Sequence, residues 1–406
     1  MDFDASSQEE WRSEIRTFLR GEAAELLGCS TMSRIAMHLH DRAQLQDWSR
    51  ALDRKGWLVP HWPLKWGGQN WPGAKRRILN QELFAANCPV TDAIGTDFVA
   101  PVIYMFGTAE QQQRHLPRIR SADEFWCQGF SESQAGSDIS SVRTTAVRDG
   151  NQFVINGHKM WTSNAHNADM MFALVRIDTA GVRRQPGPSF LLIDLHVPGV
   201  EVRPIITIDG GHWINEVFLS DVRVPAGNLV GEPGKGWAYA RYLLGNERTI
   251  VAGLPQLHRL LKLAREVLRL SEDRSVCADR GASRSRLARF EIEYAALEMM
   301  ERRLEERPQD DPYSQVLTSM LKLRSSELRQ IVSAFAFDLL GVHGLERPSP
   351  DQPDDARRGE AIHVDDWAAH CKSEVTAAFL IERAATIAGG TSEVQRNIIA
   401  AIGLGL

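Results

Sequence analysis

Glu247 is the residue of this 406-residue chain whose setting most suggests chemistry, because a carboxylate there interrupts an apolar helical face. The stretch WAYARYLLGNERTIVAG, residues 237–253, has helical spacing. The residues that share the face of Glu247 are Leu243, Leu244, Ile250 and Val251. Burial is expected to raise the pKa of such a carboxyl, which suits a general base. A buried Glu paired with an arginine explains the same pattern, and is the commoner case.

A second candidate is FWCQGFSESQAGSD, residues 125–138, which runs from a strand pattern into a loop of small residues and hydroxyls. Ser131 and Ser137 could donate hydrogen bonds to a ring or a phosphate, and Gly136 would let the backbone come close to it. By itself this pattern is not specific.

A third candidate is KMWTSN, residues 159–164. Trp161 offers a large aromatic face beside the hydroxyls of Thr162 and Ser163, which suits a flat heteroaromatic cofactor.

A fourth candidate is AGGTSEVQRN, residues 388–397, where Gly389 and Gly390 precede an N-cap at Thr391 or Ser392. Free N–H groups at such a helix start favour an anion or an electron-rich oxygen. Plain helix capping also explains this segment.

The signatures of several other enzyme classes are missing. The chain has no Gly-x-Gly-x-x-Gly after a strand, no Walker A motif, no His-Glu-x-x-His and no Gly-x-Ser-x-Gly. Its twelve histidines are scattered without metal-ligand spacing, so no metal site is predicted.

Composition predicts a cytoplasmic protein. The net charge is −5 without a dense Lys/Arg block, which argues against nucleic acid as a partner. Five widely spaced cysteines are typical of reduced thiols. The start MDFDASSQEEW is no signal peptide, and no apolar run reaches membrane-spanning length.

Three successive regions must position these candidates, and they predict an α+β multidomain fold. An N-terminal α-helical domain (1–124) contains an aromatic loop at 56–73 with four tryptophans, which we expect to be pinned by packing. A middle, antiparallel and barrel-like β-domain (125–235) has a predicted two-residue hairpin turn at Asn156-Gly157. A C-terminal helical bundle (236–406) completes the chain. The residues expected to point inward from its third long helix are Val316, Met320, Leu323, Leu328 and Ile331.

Taken together and in this order, the last three candidates resemble the acyl-CoA dehydrogenase family. The resemblance runs from about Trp11 to Leu406. Its most specific pieces are the segments 131–138, 161–163, 221–225 and 383–406.

The resemblance implies bound FAD. The Phe130 backbone and the Ser131 hydroxyl would meet the flavin's pyrimidine side, Trp161 would pack on the isoalloxazine, and Ser163 would hydrogen-bond near N5. Ser137 would touch the CoA arm. Thr391 and Glu393 would lie along the pyrophosphate. The reaction would remove an α-proton and transfer a β-hydride to flavin N5, giving a trans-2-enoyl-CoA.

The place of the base departs from the commoner family pattern. Many members carry it as Glu immediately before Gly-Thr, where this chain has Gly389, which keeps only its backbone N–H for the thioester oxygen. A minority place the base on the helix after the β-domain, before an Arg, and Glu247-Arg248 matches that placement. Arg248 would then fix the local geometry or contact the CoA side.

Residues that family subunits extend to a neighbour's FAD look degraded. In this chain's own flavin loop, Ser133-Gln134 replaces the usual Pro-Gly, which would make that loop less rigid. Of the two elements extended to a neighbour, the expected Arg-x-x-Phe is missing around 278–285. The Gln-x-x-Gly-Gly element has become DLLGVHG, residues 338–344, with Asp338 adding an unfavourable charge near a pyrophosphate.

We therefore expect a dimer or tetramer, and specifically a heteromer with a second acyl-CoA dehydrogenase-like subunit that clamps the tail of this chain's FAD. Such heteromers act on steroid side-chain or dicarboxylic acyl-CoAs, and DGGHWINE, residues 209–216, loosely resembles them. A separate electron-transfer acceptor would reoxidise the flavin. Two alternatives stay open: a non-catalytic partner subunit, and a same-fold flavin enzyme acting on a substrate without CoA.

Overall fold

The computed structural model describes residues 4–31, 42–86, 88–178, 187–273, 279–305, 307, 311–345 and 367–406. Helices form both ends of the chain and a β-sheet forms the middle. This arrangement confirms the predicted fold class. Part of the described chain is known by its backbone alone, residues 245–251 included. No helix among the described residues is both long and apolar enough to span a membrane.

The amino-terminal region is a helical layer. Its helices α1 to α6 are Ala5–Phe18, Ala24–Thr31, Arg42–Arg54, Gly73–Ala85, Ala100–Phe106 and Ala109–Arg120. Two connecting segments, Leu19–Ala23 and Ile94–Val99, are wound as π-helix, a form that often occurs at functional sites. Helix α6 begins with a capping box, in which Thr108 and Gln111 each bind the other's backbone N–H through their side chains.

The aromatic loop at 56–73 is held by packing, as predicted. Trp57 and Trp62 are buried. The ring of Trp11 meets Trp57 and Trp71 edge-on, with centroids 5.1 and 5.3 Å apart. The Trp62 indole N–H donates to the Thr96 carbonyl at 2.8 Å, which ties this loop to the π-helical segment.

The middle region is one sheet of eight strands among the described residues. Strands β1 to β8 are Trp126–Gly129, Thr145–Asp149, Gln152–Ser163, Met170–Asp178, Ser189–Asp194, Val200–Ile206, His212–Pro225 and Leu229–Val230. The spatial order is β6-β7-β3-β2-β4-β5-β8, with β1 beside β4. Most neighbours are antiparallel, but β4 pairs in parallel with both β1 and β2.

Strands β4 and β5 are buried on both faces. Phe172 and Leu174 point into a core shared with the N-terminal helices and with Leu243 of the C-terminal region. Met171 and Ala173, their neighbours along the strand, point into a second core on the other face of the sheet. The sheet therefore packs against the helices on one side and fills its own interior on the other.

The predicted hairpin turn at Asn156-Gly157 is wrong, because β3 runs through both residues. The register against β7 shifts there instead, as in a β-bulge. Asn156 exchanges two hydrogen bonds of 2.9 Å with Asp221 on β7. A Cβ on Gly157 would lie 2.3 Å from the Thr144 hydroxyl oxygen, so this glycine permits a close approach between β3 and the residue that precedes β2.

The carboxy-terminal region is helical. Its helices α7 to α12 are Gly236–Ala252, Leu254–Asp273, Arg280–Glu305, Pro312–Leu340, Trp367–Ile381 and Ser392–Ile398. Helices α8 and α10 contribute most of its core, with Phe335 and Leu328 almost fully buried. The predicted inward position of Ile331 on α10 is wrong, since that side chain is 46% exposed.

Candidate active site

The loop containing Phe130 and Ser131 lies directly beside strand β3. The Met160 amide donates to the Ser131 carbonyl at 2.9 Å, and the Lys159 ammonium lies 3.4 Å from the Phe130 carbonyl. The Phe130 ring is buried and Ser131 is partly exposed. The second and third candidates of the sequence are therefore neighbours in the fold.

A buried ion pair fixes this junction. Glu132 accepts hydrogen bonds from Lys159 at 2.8 Å, from the Thr144 hydroxyl at 2.6 Å, and from the Arg143 and Thr144 amides. Lys159 also donates to the Leu174 carbonyl at 2.7 Å. Burial opposes ionisation of Glu132, but the Lys159 charge and the other donors lower its pKa to about 2. Burial lowers the pKa of Lys159 to about 8, against the opposing effect of the Glu132 charge.

Trp161 is displayed on a bulge of β3. The pairing with β7 shifts register between Lys159 and Thr162, and Trp161 adopts a φ of 59°, a conformation that side chains of its size rarely take. Its ring is 56% exposed, although most of the described large aromatic residues are buried or only partly exposed. The neighbouring Thr162 is fully buried, and its hydroxyl has no hydrogen-bond partner among the described residues. Ser163, partly exposed, pairs with Ile214.

Two polar residues of β7, together with His166, form a cluster that binds the backbone of the bulge. The Asn215 side-chain amide is buried and donates to the Thr162 carbonyl at 3.0 Å. His212 binds the Asn215 oxygen at 2.8 Å, and His166 lies 3.1 Å from the Asn215 nitrogen. These contacts hold the backbone next to Trp161 in place.

The loop carrying Gly136 and Ser137 is exposed but closed by hydrogen bonds. Glu132 and Ala135 exchange backbone hydrogen bonds of 2.9 and 3.1 Å, and the Gln134 amide donates to Glu132 at 2.8 Å. A Cβ on Gly136 would meet nothing within 4 Å. The Ser133-Gln134 sequence therefore still gives a defined turn in place of Pro-Gly.

Glu247 and Arg248 lie on helix α7, but their side chains are outside the described part of the structure. The helix itself is anchored at both ends. Near its start, Tyr239 packs against Phe106 with ring centroids 4.7 Å apart, and at its end the Ala252 carbonyl accepts a hydrogen bond from a buried serine of α10. Between these ends it packs against the π-helical segment Ile94–Val99 and strand β5.

The segment around Gly389 forms a separate group against α10. Gly389 and Gly390 have φ values of 65° and 91°, the left-handed region that glycine alone adopts freely. The Thr391 hydroxyl accepts the Val394 amide at 3.3 Å, so Thr391 is the N-cap of α12. Glu393 is exposed in the first turn, where hydrogen bonds from its own backbone N–H and from the Thr391 hydroxyl hold its pKa below the usual range.

The family follows from sequence comparisons across the whole length. The models of the acyl-CoA dehydrogenase N-terminal, middle and C-terminal domains match residues 5–123, 127–222 and 234–404. Acyl-CoA dehydrogenase IpdE1 of Mycobacterium tuberculosis is 37% identical over 410 residues, covering 98% of this chain and 97% of the relative. The chain belongs to the acyl-CoA dehydrogenase family.

Further relatives agree with this acyl-CoA dehydrogenase assignment. Acyl-CoA dehydrogenase IpdE1 of Mycolicibacterium smegmatis is 36% identical over 420 residues, covering 98% of this chain and 97% of the relative. The ChsE4-ChsE5 complex from Mycobacterium tuberculosis superposes with a TM-score of 0.80 at 29% identity, over 100% of this chain and 98% of that one. The Tcur3481-Tcur3483 steroid ACAD superposes with a TM-score of 0.80 at 27% identity, over 100% of this chain and 99% of that one. The chain is thus an oxidoreductase of a family that uses FAD, which confirms the predicted resemblance.

The residues that hold the candidate residues in place were not predicted from the sequence of this acyl-CoA dehydrogenase. Lys159 follows Phe153 and Ile155 at the period of two that marks the inner face of a strand, so its burial was readable. Asn215 is likewise buried between the apolar positions of β7. Nothing in the neighbouring sequence predicted the burial of Lys322, because its partner Gly390 is 68 residues away.

Proposed function

We propose that this chain is a catalytic acyl-CoA dehydrogenase subunit that converts an acyl-CoA thioester to the trans-2-enoyl-CoA, with Glu247 as the base. The observation that carries the proposal is the exposed Trp161, held in a strained bulge beside Thr162 and Ser163. A strained, exposed aromatic residue has little structural value, whereas a flat cofactor ring stacked on it would account for its exposure.

FAD, when bound, would accept the β-hydride of the substrate at N5. Trp161 would pack on the isoalloxazine ring, with Ser163 near N5 and the Phe130-Ser131 backbone and hydroxyl at the pyrimidine side. The open approach to Gly136 fits a group bound at this surface. Thr391 and Glu393 would line the pyrophosphate region, although the capping role of Thr391 is a sufficient reason for that residue by itself.

The protein's own chemistry is proton removal. The α-proton beside a thioester is weakly acidic, so the base must be desolvated and the developing enolate oxygen must meet preorganised donors. We assign the proton transfer to Glu247 on α7 and one donor to the backbone N–H of Gly389. Arg248 and Ser137 would bind the CoA side of the substrate.

We further propose that the working enzyme is a heteromer. Asp338 is exposed at the end of α10, where a neighbouring subunit's cofactor tail would meet an unfavourable negative charge. Two solved relatives are described by pairs of protein names, ChsE4-ChsE5 and Tcur3481-Tcur3483. By this proposal, the partner clamps the FAD tail held here and binds no complete FAD of its own.

The test of the catalytic proposal is flavin bleaching. The chain, FAD and the product of a neighbouring acyl-CoA dehydrogenase-like gene are mixed with straight-chain, dicarboxylic and steroid-derived acyl-CoAs under anaerobic conditions. Glu247→Gln should abolish bleaching while FAD stays bound, whereas Glu232→Gln, an exposed carboxylate before α7, should bleach normally. Bleaching by Glu247→Gln would show that Glu247 is not the base.

The heteromer is tested by purifying the chain alone. We expect little bound FAD and a gain of FAD when the partner is added. A stable homo-oligomer carrying one FAD per chain would rule the heteromer out.

A further inference from the structure

Helix α10 buries a polar face in addition to the apolar one that it contributes to the core. Six residues on it are almost completely buried, and their spacing of four, four, three, four and four places them on one side of the helix. They are Ser314, Thr318, Lys322, Ser325, Arg329 and Ser333. Buried polar groups are retained at a cost unless they make hydrogen bonds, so their partners show what this face is for.

Three residues of this polar face bind segments of the chain that carry the proposed site. Lys322 is fully buried and its ammonium donates to the Gly390 carbonyl at 2.8 Å. Ser325, three residues further along α10, donates to the carbonyl of Ala252 at the end of α7. Arg329 binds Glu382, just before the glycine loop, at 3.0 Å. One helix thus holds both the helix that carries Glu247 and the loop that carries Gly389.

The loop that contains Gly389 and Gly390 needs contacts from other segments to fix its conformation. Two successive glycines turn easily to either sign of φ, so a backbone N–H on them is not preorganised by the chain itself. Here the Gly390 carbonyl is bound by both Lys322 and the Gln395 amide, which also lies 3.3 Å from the Gly389 carbonyl. Gln395 is fully buried. A rotation of the backbone at Gly389 or Gly390 would therefore disturb contacts to two buried side chains.

We propose that Lys322 is a positioning residue for proton removal: it aims the Gly389 N–H at the thioester oxygen and, with Ser325, sets that donor's distance from α7. The inference rests on the proposed function, in which this N–H is an oxyanion donor. Lys322 binds the loop through the Gly390 carbonyl, so it acts through the backbone of the loop.

The experiment compares Lys322→Met with Ser326→Ala in the FAD-loaded complex. Ser326 is equally buried on α10, but its hydroxyl donates to the Leu323 carbonyl of the same helix. The probe is the acyl-CoA that bleaches the wild-type flavin fastest, labelled with ¹³C at the thioester carbonyl. Three quantities are measured: the rate constant of flavin reduction, the KM, and the infrared shift of the labelled carbonyl on binding.

Lys322→Met should slow flavin reduction by about 10- to 100-fold, somewhat less than complete removal of an oxyanion donor, with KM within about twofold of wild type. The bound carbonyl should lose most of its downward infrared shift, and amide exchange in the peptide spanning 385–395 should accelerate. Ser326→Ala should match wild type in all of these.

A Lys322→Met enzyme that keeps the wild-type carbonyl shift and reduction rate overturns the inference, as does a change confined to KM. If Lys322→Met does not fold, Gln395→Met, which removes the second donor to the same carbonyl, is judged by the same criteria. The proposed function is tested separately, since it fails only when the wild-type complex bleaches with no acyl-CoA of the panel.

Discussion

Replacing Lys159 by Met should destabilise the β-domain strongly while leaving its shape nearly unchanged. The methionine fills a similar volume but removes the ammonium that binds Glu132 and the carbonyls of Phe130 and Leu174. The Glu132 carboxylate then stays buried with its remaining donors, the Thr144 hydroxyl and nearby amide groups.

The magnitude follows from burial. Lys159 is 0% and Glu132 4% exposed, and removing one partner of a buried pair typically costs 3–5 kcal/mol. Because Glu132 keeps its other donors, we expect about 3 kcal/mol for Lys159→Met. Glu132→Gln should cost more, about 4 kcal/mol, because it leaves an ammonium without a counter-charge. The double variant should cost clearly less than the two single variants added together.

The matched control is the Arg223–Asp149 pair on the same sheet. Its atoms are also 2.8 Å apart, but its side chains are 60% and 59% exposed. Asp149→Asn should therefore cost less than about 1 kcal/mol. Urea unfolding followed by circular dichroism gives the free energies, and FAD titration reports on the loop at Phe130. A Lys159→Met variant no less stable than Asp149→Asn would refute this reasoning.

Three further outcomes are expected. Trp161→Asn relieves a backbone strain of about 1 kcal/mol and should not lower the thermal midpoint of the apoprotein, yet it should weaken FAD binding at least about tenfold by titration; a stable variant with unchanged affinity would remove Trp161 from the cofactor site. The pKa of Glu132 is about 2 in the fold against 4.5 unfolded, so its stabilisation is complete above about pH 4.5 and is lost as the pH falls toward 2. The stability gap between wild type and Glu132→Gln should accordingly narrow over that range in urea titrations, and a gap independent of pH would contradict it. Gly157→Ala should cost about 1–3 kcal/mol by collision with Thr144, while Gly136→Ala should cost almost nothing, as measured by thermal unfolding.

Most of the fold was predictable because periodicity is a local property. The helical ends, the β-region and the aromatic loop each show their pattern within a window of fewer than twenty residues. The prediction of a turn at Asn156-Gly157 was wrong, since the same dipeptide that makes a tight turn also suits a bulge. The Thr144 side chain, just before strand β2, explains the glycine.

Helix α10 shows the second limit. Apolar periodicity predicted Ile331 on the inside, but Lys322, Ser325 and Arg329 are buried and Ile331 is exposed. Their burial depends on the carbonyls and the carboxylate of Gly390, Ala252 and Glu382, which are distant in sequence. Burial of polar residues is decided by partners, and partners cannot be read from the spacing within one helix.

The residues of the candidate site were predictable from the sequence, but the residues that hold them in position were not. Ser131, Trp161 and Ser163 were predicted from residue type and order, and Phe130 from the family resemblance; the structure places the two segments side by side. Glu247 and Arg248 stay predictions, because their side chains lie outside the described residues.

Strands β4 and β5 link the two cores of the molecule through their side-chain alternation. Phe172 and Leu192 face the helices, while Met171 and Ile193 face the interior of the sheet, and each pair is in register across the two strands. A slip of one residue would exchange the two sets and misfit both interfaces at once. Errors in strand pairing should therefore disrupt the whole enzyme during folding, and insertions in these two strands should be tolerated less than insertions in its surface loops.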